Sequence, residues 1–151
     1  MTKRKPVICV TGTPGTGKTL YAQALARNKK LLYVPLHDIL RKEKLYASYD
    51  KAMKSYVYDE HALEKFLTGL IRAARALKEG LVIDGHLSHC ISPRYIDYCV
   101  VMKCDLKTLR RRLHKRRYSA RKIRENLDAE ILDACLVEAR ERGHKVKIVY
   151  S

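Results

Sequence analysis

Gly12-Thr13-Pro14-Gly15-Thr16-Gly17-Lys18-Thr19 satisfies the pattern G-x-x-x-x-G-K-[ST]. Glycines spaced this way let backbone N–H groups converge on phosphate oxygens, and a helix beginning at the lysine adds positive potential. Lys18 would bridge terminal phosphates, and the Thr19 hydroxyl would ligate Mg²⁺. A glycine turn that merely joins two elements does not need Lys-Thr in this register. A second candidate is "VIDGHLSH", residues 82–89, where Asp84 closes an apolar run. A carboxylate at such a strand end can hold Mg²⁺ directly or through water. His86 and His89 stand three residues apart. A dedicated metal site would need further ligands, so His86 reads better as a polar or orienting contact near the transferred phosphate. The third candidate is the stretch Lys103 to Arg124, with eleven Lys or Arg and a single acid, Asp105. Phosphoryl transfer needs cations around the moving group, and guanidinium forks suit phosphate geometry. The run holds more cations than one phosphate needs, so part of it is expected to face a polyanionic partner or solvent.

Elements must position these residues. Pro6–Val10 reads as a buried strand ending at the glycine loop, and Leu20–Ala26 as the helix that the loop opens. Lys30–Val34 reads as a second strand closed by Pro35, followed by a short helix over Asp38–Lys44. Leu45–Tyr58 is tyrosine-rich and shows no period. Leu63, Phe66, Leu67, Leu70, Ile71, Ala74 and Leu77 repeat at helical spacing, predicting an amphipathic helix over His61–Glu79 that Gly80 ends. Leu81–Asp84, Asp97–Cys104 and Val146–Tyr150 read as three more strands. Leu106–Arg116 reads as a basic-faced helix, and Ile123 to Ala139 as one last long helix stopped by Gly143. Strands alternating with helices predict an α/β fold with a parallel sheet and helices on both faces.

Composition bounds the function. The chain has 151 residues and 32 Lys plus Arg against 16 Asp plus Glu, a formal charge of +16. That length suits one domain, and that charge attracts nucleotides, RNA or anionic surfaces. A high Lys/Arg content also serves solubility alone. Five cysteines, at 9, 90, 99, 104 and 135, form no C-x-x-C pair, which predicts reduced, buried thiols and a cytoplasmic protein. No apolar run approaches the ~18 residues of a membrane span. Met1–Lys5 is too short and basic for a secretory signal.

With these pieces placed, the chain resembles the small atypical adenylate kinases of the adenylate kinase isoenzyme 6 type. The resemblance rests on "TGTPGTGKT", "LYASYD", "DGHLSH" and "RRYSARKIRENLDAEILDACLVEA", in that order. It implies the P-loop nucleoside monophosphate kinase fold, with strand order 2-3-1-4-5 in a five-stranded parallel sheet. It implies ATP plus AMP going to two ADP with Mg²⁺, and an ATPase that assists small ribosomal subunit assembly and rRNA maturation. By position, Gly15, Gly17, Lys18, Thr19 and Leu20 would line the ATP phosphates. Asp38 and Arg41 would bind AMP within a segment of about 35–59. Asp84 and His86 match the family's Asp-x-His, and Arg112 and Arg116 match arginines flanking a short lid of about 115–125, Arg116 reaching ATP. The expected catalytic set is Lys18, Asp84, His86 and Arg116, with Thr19 and Asp84 toward the metal. The expected partners are ATP, AMP and a small-subunit ribosomal protein, rRNA or both, with no DNA and no membrane. A basic protein partner would need an acidic surface here, such as one near Asp128, Glu130 and Asp133, or bridging RNA. The sequence departs from the family at Arg117, where the lid usually has glycine, at Pro35 and His37, and at Leu20, which replaces a second threonine. Two alternatives stay open at this point: an assembly factor using nucleotide as a switch, and a small-molecule kinase of the shikimate or cytidylate type.

Overall fold

Seven strands and six α-helices make up the computed structural model, which describes residues 3–151. In chain order these are β1 (Val7–Thr11), α1 (Lys18–Lys29), β2 (Leu32–Pro35), α2 (Leu36–Lys42), β3 (Tyr46–Asp50), β4 (Ser55–Tyr58) and α3 (Glu60–Ala76). They continue with β5 (Leu81–Asp84), two 3₁₀ turns (Ser88–Cys90, Pro93–Tyr95), β6 (Tyr98–Lys103), α4 (Leu106–Lys115), α5 (Ala120–Ile131), α6 (Ala134–Glu141) and β7 (Val146–Tyr150).

β2, β5, β1, β6 and β7 form one parallel sheet in that order. Numbered within the sheet alone this is 2-3-1-4-5, the expected order. β1 is buried along its whole length because both faces of the sheet are covered. Val7 and Cys9 point into a core shared with Leu63, Leu67, Ile71 and Leu36. Ile8 and Val10 point the other way, against Ala22 and Ala26 of α1. The pleat turns one apolar run into two half-cores. A third, smaller cluster of Leu109, Leu113, Ile123 and Cys104 joins α4 to α5. The cysteines carry no disulfide, and four of the five are buried. Burial pushes the Cys90 thiol up to about 11 and Cys99, with help from Cys135, to about 12. Those thiols stay protonated and inert. Among the described residues no helix is long and apolar enough to cross a membrane.

Two elements differ from the sequence reading. Residues 45–58 are not irregular: β3 and β4 pair antiparallel, with a register shift between Tyr46 and Ser48. That bulge breaks the alternation a strand would show, and the hairpin stands apart from the main sheet, so no strong apolar face marks it. The last helix is two helices. The break falls at Leu132 and Asp133, and Asp133 has φ 52°. The apolar spacing runs through the break because each half buries its own residues, Ile123 in the α4–α5 cluster and Leu136 and Ala139 in the main core.

Left-handed residues follow four of the helices. Lys30, Lys44, Lys78 and Arg117 all have positive φ near 55° (53° to 60°) just after α1, α2, α3 and α4. Glycine is the usual residue there, at no steric cost. A cation in that place loses ~1–2 kcal/mol to the left-handed backbone but recovers ~0.3–1 kcal/mol from the helix dipole. Glycine would cost ~0.5–1 kcal/mol of extra chain entropy. The terms nearly cancel, so Arg117 holds a left-handed turn that glycine would also make. Arg117→Gly is accordingly expected to shift stability by under ~0.5 kcal/mol, whereas Arg117→Val, branched and uncharged, loses ~1 kcal/mol or more. Urea unfolding of both variants measures the contrast.

Candidate active site

The glycine loop leaves the carboxyl end of β1 and turns into α1. Gly15 and Gly17 have φ 92° and 90°, angles that an L side chain resists. No side chain caps α1 and no acid stands in its first turn. Its leading N–H groups therefore stay available to an anion. Lys18 folds back so that its Nζ donates to the Thr13 carbonyl at 3.1 Å. Burial is the main cause that lowers its pKa to about 8, with Arg116 adding to the effect against Asp84 and Glu130. An incoming polyphosphate would reverse that shift.

Every site residue expected from the sequence lines one cleft of about 1990 Å³. The loop supplies Gly15, Gly17, Lys18, Thr19 and Leu20; β5 and its following turn supply Asp84 and His86. One wall is α2 with the β3–β4 hairpin, carrying Asp38 and Arg41; the other is α4 and the turn after it, carrying Arg112 and Arg116. The Leu20 side chain is 77% exposed, so only its backbone can serve a phosphate. Asp38 and Arg41 pair with each other at 3.6 Å on the exposed face of α2. Such a pair is worth little and is easily exchanged for a phosphate. Arg112 is committed to the loop: its Nη1 donates to the Gly15 carbonyl at 3.1 Å and to Ser151 Oγ at 3.0 Å. Arg116, at the α4 C-cap, is exposed.

His86 is held neutral. Burial, with Lys18 next in effect, lowers its pKa to about 3. It can donate or accept a hydrogen bond near the loop but adds no charge there. Its carbonyl accepts from Thr11 Oγ1 at 3.1 Å. His89 does not enter the cleft. It is buried behind the loop, with Nδ1 2.7 Å from Thr11 Oγ1 and Nε2 2.6 Å from Glu138 Oε2.

Two side chains matter that the motifs did not single out. Tyr33, on β2, donates its phenol to Asp84 Oδ2 at 2.6 Å, and the Thr19 side chain lies against the same phenol. Glu130 is 6% exposed. It accepts from Thr13 Oγ1 at 3.0 Å and the Cys104 N–H at 3.0 Å, and it pairs with Lys103 at 3.0 Å. Lys103 also pairs with Asp133. Of the three acids named for an acidic surface, Glu130 is therefore spent inside the fold, Asp133 is half-exposed and paired with Lys103, and Asp128 is exposed. Glu130 had a legible signal: it falls seven residues after Ile123 on the apolar stripe of α5, where a solvated acid would not stand.

The donor set fits Mg²⁺. The Thr19 hydroxyl and the Asp84 carboxylate line the same cleft beside the phosphate loop, and hard oxygen donors in small number suit an ion that keeps waters and substrate phosphates.

Comparison with known proteins agrees with this geometry. A family model described as an AAA domain matches residues 8–133. The chain is 36% identical to a putative adenylate kinase of Methanocaldococcus jannaschii, over 92% of this chain and 75% of that one. It is 38% identical to the adenylate kinase isoenzyme 6 homolog of Schizosaccharomyces pombe, over 90% of this chain and 75% of that one. The chain belongs to the adenylate kinase isoenzyme 6 family. Its fold is that of the P-loop kinases: a shikimate kinase of Acinetobacter baumannii, solved with shikimate, superposes with a TM-score of 0.57 at 17% identity, covering 97% of this chain and 84% of that one. At that identity the likeness is one of fold and does not name an acceptor. In this member of the adenylate kinase isoenzyme 6 family, Pro35 and His37 line the cleft beside α2, whereas Arg117 does not line it.

Proposed function

We propose that this protein transfers the γ-phosphoryl group of ATP to AMP, giving two ADP, and hydrolyses ATP slowly when AMP is absent. The observation that carries this reading is the single cleft with a phosphate loop as floor and a cationic wall on each side. ATP phosphates would lie on the Gly15–Thr19 backbone, with Lys18 across the terminal groups and Arg116 closing from the lid. AMP would enter along α2, its phosphate taken by Arg41 as Asp38 lets go. Thr19 and Asp84 would hold Mg²⁺, directly or through water, and that ion supplies charge neutralisation at the phosphates. His86, being neutral, can orient an oxygen of the transferred group without tightening the ground state. The lid turn at 115–125 would exclude water, which otherwise accepts the phosphoryl group in place of AMP.

A panel of acceptors with ATP as donor tests this: AMP, the other nucleoside monophosphates and shikimate. AMP is expected to raise ADP formation at least tenfold over ATP alone. Phosphorylation of shikimate, or indifference to AMP, would reject the reading.

We further propose a role in small ribosomal subunit assembly and rRNA maturation in the cytoplasm, with a small-subunit ribosomal protein or rRNA as partner. The formal charge of +16 supports it. So does the outward face of α4, where Lys107, Arg110 and Arg111 are exposed and line no part of the cleft. With those cations free of the cleft, RNA is the partner this surface suits. Retention of rRNA at low salt, falling steeply with added salt, is expected, and stimulation of ATP turnover by RNA in the absence of AMP would favour a nucleotide switch over a metabolic kinase.

A further inference from the structure

We propose that Tyr33 is a positioning residue for the metal: its phenol fixes the Asp84 carboxylate and the Thr19 hydroxyl in the arrangement that receives Mg²⁺ with ATP. The inference rests on the reading that those two side chains hold the metal.

The geometry comes from strand register. β2 and β5 run parallel, with Tyr33 opposite Val82 and Pro35 opposite Asp84. Residues two apart on a strand face the same way, so Tyr33 and Asp84 share the sheet face that α1 covers. The separation along the strand is two residues, about 6.6 Å. A tyrosine lying along the strand spans that distance and no shorter hydroxyl side chain does. Its oxygen arrives 2.6 Å from Asp84 Oδ2, within the usual range of charge-assisted O–H···O⁻ bonds. The ring is anchored behind: it packs against the core of Ile8, Val10, Ala22 and Val82, which stops the phenol from swinging away. Among the described residues, no other side-chain or backbone donor bonds the Asp84 carboxylate, so Tyr33 alone orients it.

Thr19 completes the arrangement. It is the second residue of α1, so its hydroxyl is set by the helix, and it lies against the same phenol. The phenol that bonds the end of β5 therefore also stands beside the first turn of α1. An oriented carboxylate keeps Oδ1 for the ion or its water. A free one would rotate and spend binding energy on ordering. A tyrosine at a strand end beside an aspartate could serve packing alone. Removal of the hydroxyl with the ring retained separates the two roles.

Tyr33→Phe keeps the buried ring and deletes only the oxygen. Mn²⁺ binding to the protein with ADP is followed by electron paramagnetic resonance, and ATP binding is followed calorimetrically with and without Mg²⁺. Expected are a 10- to 100-fold weaker affinity for Mn²⁺, an unchanged affinity for metal-free ATP, and an unchanged unfolding midpoint within about 2 °C. In turnover, kcat should fall by the same factor while the KM for the acceptor stays put. Equal losses with and without metal would mean that the phenol contacts the nucleotide itself, and unchanged Mn²⁺ binding would mean that it only packs; either overturns the proposal. The resonance titration uses no acceptor, so an error about AMP would leave its outcome intact.

Discussion

Lys18→Met is expected to slow phosphoryl transfer from ATP by about 10³-fold, ~4 kcal/mol of transition-state stabilisation. The methionine matches the lysine stem in length and removes only the ammonium. The fold should not suffer, because burying that charge is a cost: its pKa is lowered to about 8 mainly by burial. The sign follows. In the unfolded chain the lysine titrates near 10.5, so between about 8 and 10.5 the unfolded state binds the proton more tightly and stability rises with pH; below 8 the native state carries the full cost. The variant should lack that rise and be slightly more stable at neutral pH. ATP reverses the balance by stabilising the ammonium. In metal-free buffer, wild-type affinity for ATP should fall as pH climbs past about 8, and Lys18→Met should show no such limb. Coupled-assay rates, calorimetric binding at pH 7 and 9, and urea unfolding together check the three statements. A variant that turned over ATP plus AMP at the wild-type rate would remove Lys18 from the mechanism.

Glu130→Ala should lose ~3 kcal/mol of stability and weaken ATP binding as well. The carboxylate is buried and answers three donors from three places: Thr13 in the phosphate loop, the Cys104 N–H after β6 and Lys103. Burial pulls the Lys103 pKa down, but Asp133 and Glu130 outweigh it and hold the group above its ordinary value. Removal of one partner of a buried pair costs ~3–5 kcal/mol because the other charge is stranded. Here Asp133 remains as a second partner for Lys103, which places the loss at the lower end. Glu130→Gln keeps an oxygen for Thr13 or Cys104 and should lose about half as much. The functional effect arises because Thr13 opens the phosphate loop, and its carbonyl is also the resting partner of Lys18. Chemical denaturation gives the stability difference. If ATP affinity held while stability fell, Glu130 would be a core residue with no bearing on the loop.

This contact also bears on the turn between α4 and α5. α5 begins just beyond that turn and ends at Glu130 and Ile131, against the phosphate loop. Arg112, from α4, grips the loop on its other side through the Gly15 carbonyl. The two helices that flank this turn thus both touch the loop, and they share an apolar cluster of their own.

The phosphate loop, Asp84 and the places of the main-sheet strands along the chain were legible in the sequence because local rules govern each. A run buried on both faces is continuous and apolar, glycines mark positive φ, and a strand-end aspartate follows directly from where β5 stops. The resemblance to the family then supplied strand order and the second wall of the cleft, which periodicity does not encode. What only the tertiary structure decided involves residues far apart in the chain. Tyr33 and Asp84 lie 51 residues apart, and strand register alone brings the phenol to the carboxylate. Thr13 and Glu130 lie 117 apart, and a breakdown of helical spacing at Asp133, invisible in the apolar pattern, lets α5 end against the loop. The β3–β4 hairpin escaped for the opposite reason: with solvent on its faces and a bulge in its register, it needs no apolar period. Sequence fixes where a backbone must turn and which groups can carry charge; the packing of distant strands and helices decides which of those groups meet.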